Sequence, residues 1–316
     1  MVQISNSVFA DALKQKHEDD DSVLKSLFSQ QRLHVVFSGG GIVGLYQLGV
    51  IVYIMYRHHR RAARRANSPA SVRIQGTSVG CISAIFLALM LSESSEQSSR
   101  EFTIEKFMDF VKDNFEREYT RENNNIANAL RNVLRELLPE NVHEICTDKV
   151  FITLNVFQNF RFRNKVVSRF FSKEHLIDVV HSSTSIHFLT IPWFWKTYHC
   201  PFEGRSYAVV DGILNAKLPP ISELTDTTLH VNIIMHSYPF VKRLHLFEKS
   251  YDFMVVDGIK DAKAFFASNG CGLRKPKTLY IVTGKNFNYL KTVLLNGFLV
   301  FLEQVFLTFF LMFRNS

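Results

Sequence analysis

Gly76-Thr77-Ser78-Val79-Gly80 is the one run in this sequence that sets a serine in a chemically useful place. A Gly-x-Ser-x-Gly run between a strand and a helix makes a sharp reversal with the serine hydroxyl at its apex, close to the positive end of the following helix. The flanking glycines let the chain turn without a Cβ clash. Such a serine suits acyl transfer, provided that a base takes its proton and that donors stabilise the oxyanion.

Ser38-Gly39-Gly40-Gly41-Ile42-Val43-Gly44 follows an apolar β-rich run in the same way. Bare backbone N–H groups beside a helix N-terminus face anions well. Gly39-x-Gly41-x-x-Gly44 also satisfies a dinucleotide fingerprint, but that use needs an acid near the end of the next strand. Gln75 stands there, and no carboxylate appears before Glu93. The Gly-Lys-Ser/Thr ending of a phosphate loop is missing too. An oxyanion hole remains, with backbone N–H groups of this loop as donors. For the base the choice is Asp211, which ends the apolar run Tyr207 to Val210 and precedes Gly212. Asp257-Gly258 is an internal control, since it also follows an apolar run but lacks supporting context.

These residues need a scaffold. Leu33 to Phe37 and Ser71 to Gln75 read as strands, and Leu45 to Tyr56 and Val79 to Leu91 as buried helices, the first ended by a basic run. That β-α-β-α opening signals a parallel sheet with helices packed on it. Thr103 to Leu138 fits two amphipathic helices broken at Asn123 to Asn125 and closed by Pro139. Val150 to Phe157 and Phe160 to Phe171 read as strands, Lys173 to Val180 as a helix, and Tyr207 to Val210, Leu229 to Met235 and Thr278 to Val282 as further β-rich runs.

At 316 residues with 47% hydrophobic and 21% charged, the chain can bury a core, and disorder throughout is excluded. Cys81, Cys146, Cys200 and Cys271 show no metal or disulfide spacing, so reduced thiols in a reducing compartment are expected. The acidic run His17 to Asp21 and the lack of any Asn-x-Ser/Thr acceptor argue against secretion. The net charge of +8 is unevenly placed, because no Asp or Glu occurs between Ser22 and Ser92. Arg57, Arg60, Arg61, Arg64 and Arg65 lie within nine positions there. They suit anionic lipid headgroups or serve as a solvated helix end, and no nucleic-acid module accompanies them. Thr292 to Phe313 is the most apolar segment. It fits a membrane span, an interfacial helix or a helix packed on the core, and composition leaves the three open.

The combination of Gly-Gly-Gly-x-x-Gly after the first strand, Gly-x-Ser-x-Gly after the second and a late Asp-Gly resembles the patatin-like phospholipase family. The similarity extends to Val180 to Ile186, akin to that family's Ala-Ser-Ser-Ala-Ile stretch, and to Asn215 and Pro219, covering about Val35 to Pro220. It implies a three-layer α/β/α fold with a mainly parallel central sheet. It implies Ser78 as nucleophile, Asp211 as base, a Gly39 to Gly41 oxyanion hole, and Gly44, Gly76, Gly80 and Gly212 as motif glycines. The reaction implied is hydrolysis of acyl esters, phospholipase A or acylglycerol lipase in type, through an acyl-serine, with no metal or cofactor, at a membrane or lipid-droplet surface. Three positions depart from the pattern: Val43 where many members have Arg, Ile213 after Asp-Gly, and His187 in place of a proline.

The expected organisation is a polar leader over 1–31, a catalytic domain over 32–220, remaining elements of that domain over 221–290, and a membrane-associating helix over 291–316. An intracellular, membrane-associated enzyme is expected. Two rivals stand beside it: an α/β-hydrolase triad of Ser78, Asp211 and a later histidine such as His236, and a non-catalytic membrane-anchored adaptor. The triad fold normally places several strands before its nucleophile, and here one precedes it.

Overall fold

The computed structural model describes residues 32–40, 44–62, 71–92, 114, 117–118, 120–122, 126–159, 161–185, 196–211, 228–231, 252–267 and 279–282. In chain order the elements are β1 (Arg32–Phe37), α1 (Gly44–Ala62), β2 (Ser71–Thr77), α2 (Gly80–Ser92), α3 (Ile126–Leu137), α4 (Val142–Cys146), β3 (Val150–Gln158) and β4 (Arg161–Val167). They continue with α5 (Lys173–Ser183), β5 (Lys196–Cys200), β6 (Arg205–Val210), β7 (Thr228–Val231), α6 (Asp252–Ala267) and β8 (Leu279–Val282).

The central strands β7, β1, β2 and β3 run parallel, and antiparallel strands complete the sheet on both sides. Val35, Phe37, Ile74, Ile152 and Leu154 project to the face that packs against helices, joined by the apolar residues of α1, α2 and α5. Helix α2 is buried along almost its whole length, as a run without charge between two strands should be. This mixed sheet, parallel at its centre and flanked by helices, is a three-layer α/β/α architecture.

The register around β3 brings the ends of two strands together. Strand β4 holds one edge of β3 across residues 152–158. Strand β2 pairs with β3 at residues 150–153 and β6 pairs with it at residues 155–157. Both overlap the β4 pairing, so β2 and β6 must share the other edge of β3. They run in opposite directions and meet end to end beside Leu154.

The structure departs from the sequence reading at several elements. Helix α1 does not stop at the basic run but continues through it to Ala62, because arginine and alanine are good helix formers and no breaker intervenes. Strand β4 is shorter than Phe160 to Phe171, ending at Val167, with Ser168 already bonded through its carbonyl to Asp148. Strand β5 carries no clear sequence signal, since Lys196-Thr-Tyr-His-Cys is half polar, and it lies at the edge of the sheet beside β6. The last is α6, where Asp257-Gly258 lies in the middle of a helix. A Cβ at Gly258 would collide with the Tyr46 carbonyl and stand 3.1 Å from the Gly49 Cα, so this glycine serves the close crossing of α6 over α1.

The expected leader, most of Thr103 to Asn125, Met235 and the C-terminal segment Thr292 to Phe313 lie outside the described residues. Among the described residues no helix is long and apolar enough to cross a membrane. Cys81, Cys146 and Cys200 are buried and unlinked, and Cys271 lies outside the described residues.

Candidate active site

Ser78 follows the last residue of β2, and Asp211 follows the last residue of β6. Because those strands meet head to head on β3, the two side chains converge, and the Ser78 hydroxyl donates to Asp211 Oδ2 at 2.6 Å. The aspartate is fully buried and the serine is 5% exposed. A short bond to a buried carboxylate is the arrangement in which the proton of a serine can be removed.

The turn itself is tight. Ser78 has φ of 54°, a left-handed conformation that costs a non-glycine residue about 1 kcal/mol or more. A Cβ on Gly76 would lie 2.5 Å from the Cys81 Cα, and one on Gly80 would lie 2.5 Å from the Phe37 carbonyl oxygen. Neither site admits a side chain, because the helix start folds back onto the ends of β1 and β2. The glycines of the motif are therefore required by the close approach of backbone to backbone.

Two serines outside the motif hold the turn and Asp211 in place. Ser183, at the end of α5, accepts the Ser78 backbone N–H at 2.9 Å and the Cys81 thiol at 3.3 Å, and donates to the Thr153 carbonyl at 2.8 Å. Its one donor and both acceptor positions are thus used. Burial pushes the Cys81 thiol far up, so it stays protonated and presents no competing nucleophile. The Asp211 backbone N–H donates to the Ser185 carbonyl at 2.7 Å, tying the carboxylate to the same helix end. Ser185 and Thr184 turn their own hydroxyls back onto the His181 and Val180 carbonyls, which satisfies the last turn of α5.

Gly39 is buried and Gly40 half-buried just beyond β1. Gln47 on the first turn of α1 donates from Nε2 to the Ser38 carbonyl at 2.7 Å, and Ser83 on α2 donates to Gln47 Oε1 at 2.7 Å. A trans peptide directs its C=O and N–H oppositely, so pinning the Ser38 carbonyl into the helix layer turns the Gly39 N–H away from it. Gly44 begins α1 against Val79. Gly41, Val43, His187, Gly212, Ile213, Asn215, Pro219 and His236 lie outside the described residues, as do Arg64 and Arg65. Arg57, Arg60 and Arg61 are on the last turns of α1.

Gln47 and Ser83 were not anticipated as site residues. A signal was present, since each is an isolated polar residue inside an otherwise apolar helical run, and such residues must find partners.

One more buried polar group lies behind the site. His181 on α5 accepts from Lys196 Nζ at its Nδ1, 2.9 Å away, and Lys196 also pairs with Asp178 at 2.7 Å. Burial, reinforced by the Lys196 charge, holds His181 down to about 3. The ring is therefore neutral at pH 7, with its proton on Nε2.

A family model for patatin-like phospholipases matches residues 35–222, which span β1 through the region beyond β6. The match covers more than half of the chain, and the protein belongs to the patatin-like phospholipase family. No curated protein matches the chain. Membership places it among the lipid acyl hydrolases.

Proposed function

We propose that the protein hydrolyses carboxylic esters of phospholipids or acylglycerols by a Ser78–Asp211 dyad through an acyl-serine intermediate. The observation that carries this reading is the direct 2.6 Å bond from the Ser78 hydroxyl to the buried Asp211 carboxylate. In a triad a histidine stands between serine and carboxylate, so direct contact favours the dyad over a triad using His236.

The chemistry follows from the geometry. Asp211 takes the hydroxyl proton as Ser78 Oγ attacks the ester carbonyl carbon. Negative charge gathers on the former carbonyl oxygen, where the backbone N–H groups of Gly39, Gly40 and Gly41 stabilise it. The tetrahedral species collapses, the C–O bond to the alcohol breaks, and Asp211 returns its proton to the leaving alkoxide. Water then attacks the acyl-serine, giving its proton to Asp211, and the fatty acid leaves as Ser78 recovers a proton. No metal or cofactor enters these steps. The strained φ of Ser78 keeps its hydroxyl at the apex of the turn, within reach of both base and substrate. We place the substrate at an intracellular membrane or lipid-droplet surface.

The test is turnover of a short-chain nitrophenyl ester and a fluorescent phospholipid by the wild type, Ser78→Ala, Asp211→Asn and His236→Ala. The dyad requires losses of about 10³-fold or more in the first two and near wild-type turnover in the third. Equal loss in all three would favour the triad. A wild type silent on every lipid presented would favour the adaptor.

A further inference from the structure

The β3–β4 hairpin has an unusual surface. Phe157, Phe162 and Val166 are 38, 47 and 42% exposed, and all three project from one face of the pair. The two rings are cross-strand partners with centroids 5.1 Å apart. On the opposite face of β4 lie Arg161, Arg163 and Lys165. No Asp or Glu occurs from Val150 to Ser172. The nearest acids serve other cations: Glu203 holds Lys165, and Asp148 stands 3.6 Å from Arg169. Arg161 and Arg163 are exposed and form no ion pair among the described residues.

Placement gives this surface its meaning. Strand β3 is parallel to β2, and Thr153 is level with Thr77, just before the dyad. Phe157 therefore stands about 13 Å further along the same direction, past the carboxyl end of β2. The hairpin, with β6 and β5 alongside it, extends past the end of β2 after which Ser78 stands. Exposed aromatics on one face of the hairpin and unpaired arginines on the other, at the site's own end of the strands, match a lipid boundary: apolar rings enter the acyl region while long arginine stems reach headgroup phosphates.

We propose that the β3–β4 hairpin is the interfacial docking element that seats the protein on lipid surfaces bearing anionic headgroups. Phe157, Phe162 and Val166 supply apolar insertion, and Arg161 and Arg163 supply attraction to the headgroups. The inference rests on the lipid hydrolase reading for its purpose, but its test does not depend on turnover.

The experiment is vesicle flotation of the full chain at increasing lipid, with phosphatidylcholine alone and with one-third phosphatidylserine. Wild type, Phe157→Ser/Phe162→Ser and Arg161→Gln/Arg163→Gln are compared, with thermal unfolding showing that each variant is folded. The phenylalanine pair should raise the lipid needed for half-binding by about tenfold on either vesicle. The arginine pair should lose about tenfold or more of the preference for phosphatidylserine, and added salt should abolish what remains. Wild-type behaviour of both variants overturns the proposal, as does a wild type that floats with neither vesicle. So does a hairpin-dependent dimer in sizing experiments with unchanged vesicle binding, because β4 would then be an edge covered by a second copy or guarded by charge. If flotation follows the hairpin but no ester is cleaved, the docking inference stands and the catalytic reading falls.

Discussion

Ser183 accepts the backbone N–H of Ser78 on its hydroxyl at 2.9 Å while donating to the Thr153 carbonyl at 2.8 Å. One buried side chain thus ties the Ser78 turn to β3, the strand on which the ends of β2 and β6 meet. Replacing it by alanine leaves a buried N–H unpaired, a cost of about 1–3 kcal/mol. Ser183→Ala is expected to lower kcat by about tenfold or more with KM little changed, and to lower the melting temperature. Equal kinetics in the variant would mean that the Ser78 turn holds itself.

Gln47 and Ser83 act on the opposite wall. Their chain of two 2.7 Å bonds fixes the Ser38 carbonyl and with it the direction of the Gly39 N–H. Losing one oxyanion donor outright costs about 10²–10³ in kcat, so mis-aiming it should cost about 10–10². Gln47→Leu and Ser83→Ala are expected to fall in that range, and together to cost little more than Gln47→Leu alone, because they serve one bond chain. Additive losses in steady-state kinetics would separate the two residues.

The strain at Ser78 can be read from stability alone. Ser78→Gly and Ser78→Ala both remove the hydroxyl, but only glycine adopts a φ of 54° without cost. Denaturant unfolding should find Ser78→Gly more stable than Ser78→Ala by about 1 kcal/mol, less the glycine chain entropy. An alanine variant that matches or exceeds glycine would show that the turn is not strained.

The motif glycines predict a different failure. With a Cβ at Gly76 or Gly80 meeting backbone at 2.5 Å, Gly76→Ala and Gly80→Ala require the start of α2 to move. Each should cost about 3 kcal/mol or more, seen as a lowered melting temperature or loss of soluble protein. Near wild-type stability in either would mean that α2 yields readily.

Acid should destabilise the fold through two histidines. Burial holds His181 and His230 down to about 3, whereas an unfolded histidine titrates at its ordinary value of 6.5. Between pH 6.5 and 3 the unfolded chain therefore binds more protons, and stability falls as pH falls. The stability is fully present above 6.5. At His181 the facing charges are Lys196, Arg131 and Arg135, opposed by Asp178, so the cationic surroundings strengthen the effect. His181→Gln should flatten the slope of unfolding free energy against pH in that window, measured by urea denaturation at several pH values. An unchanged slope would assign the acid sensitivity elsewhere.

The order of the first four elements was legible because each carries a local signal: a β-branched run, a glycine cluster or an uncharged helical stretch. The strand-end positions of Ser78 and Asp211 were legible for a related reason, since each sits where an apolar run stops. Helix α6 was not, although Val255, Ile259, Ala262 and Phe266 recur at helical spacing and are buried. Asp257-Gly258 draws attention as a turn, and only the crossing with α1 explains why glycine is needed there. The share of β4 in the story was hidden as well, since basic and apolar alternation describes any edge strand.

From sequence alone came the residue types and the end of the strand on which each functional group stands, because period, turn chemistry and strand termination are local properties. The meeting of Ser78 with Asp211, 133 positions apart, was decided by tertiary structure. Two strands of opposite direction share one edge of β3 because β4 occupies the other, and no local signal records which edge a partner will take. The buried supports of the site, Gln47, Ser83 and Ser183, depend on the same long-range packing. A lone polar residue in an apolar run announces that a partner must exist, and only the packed fold says which one.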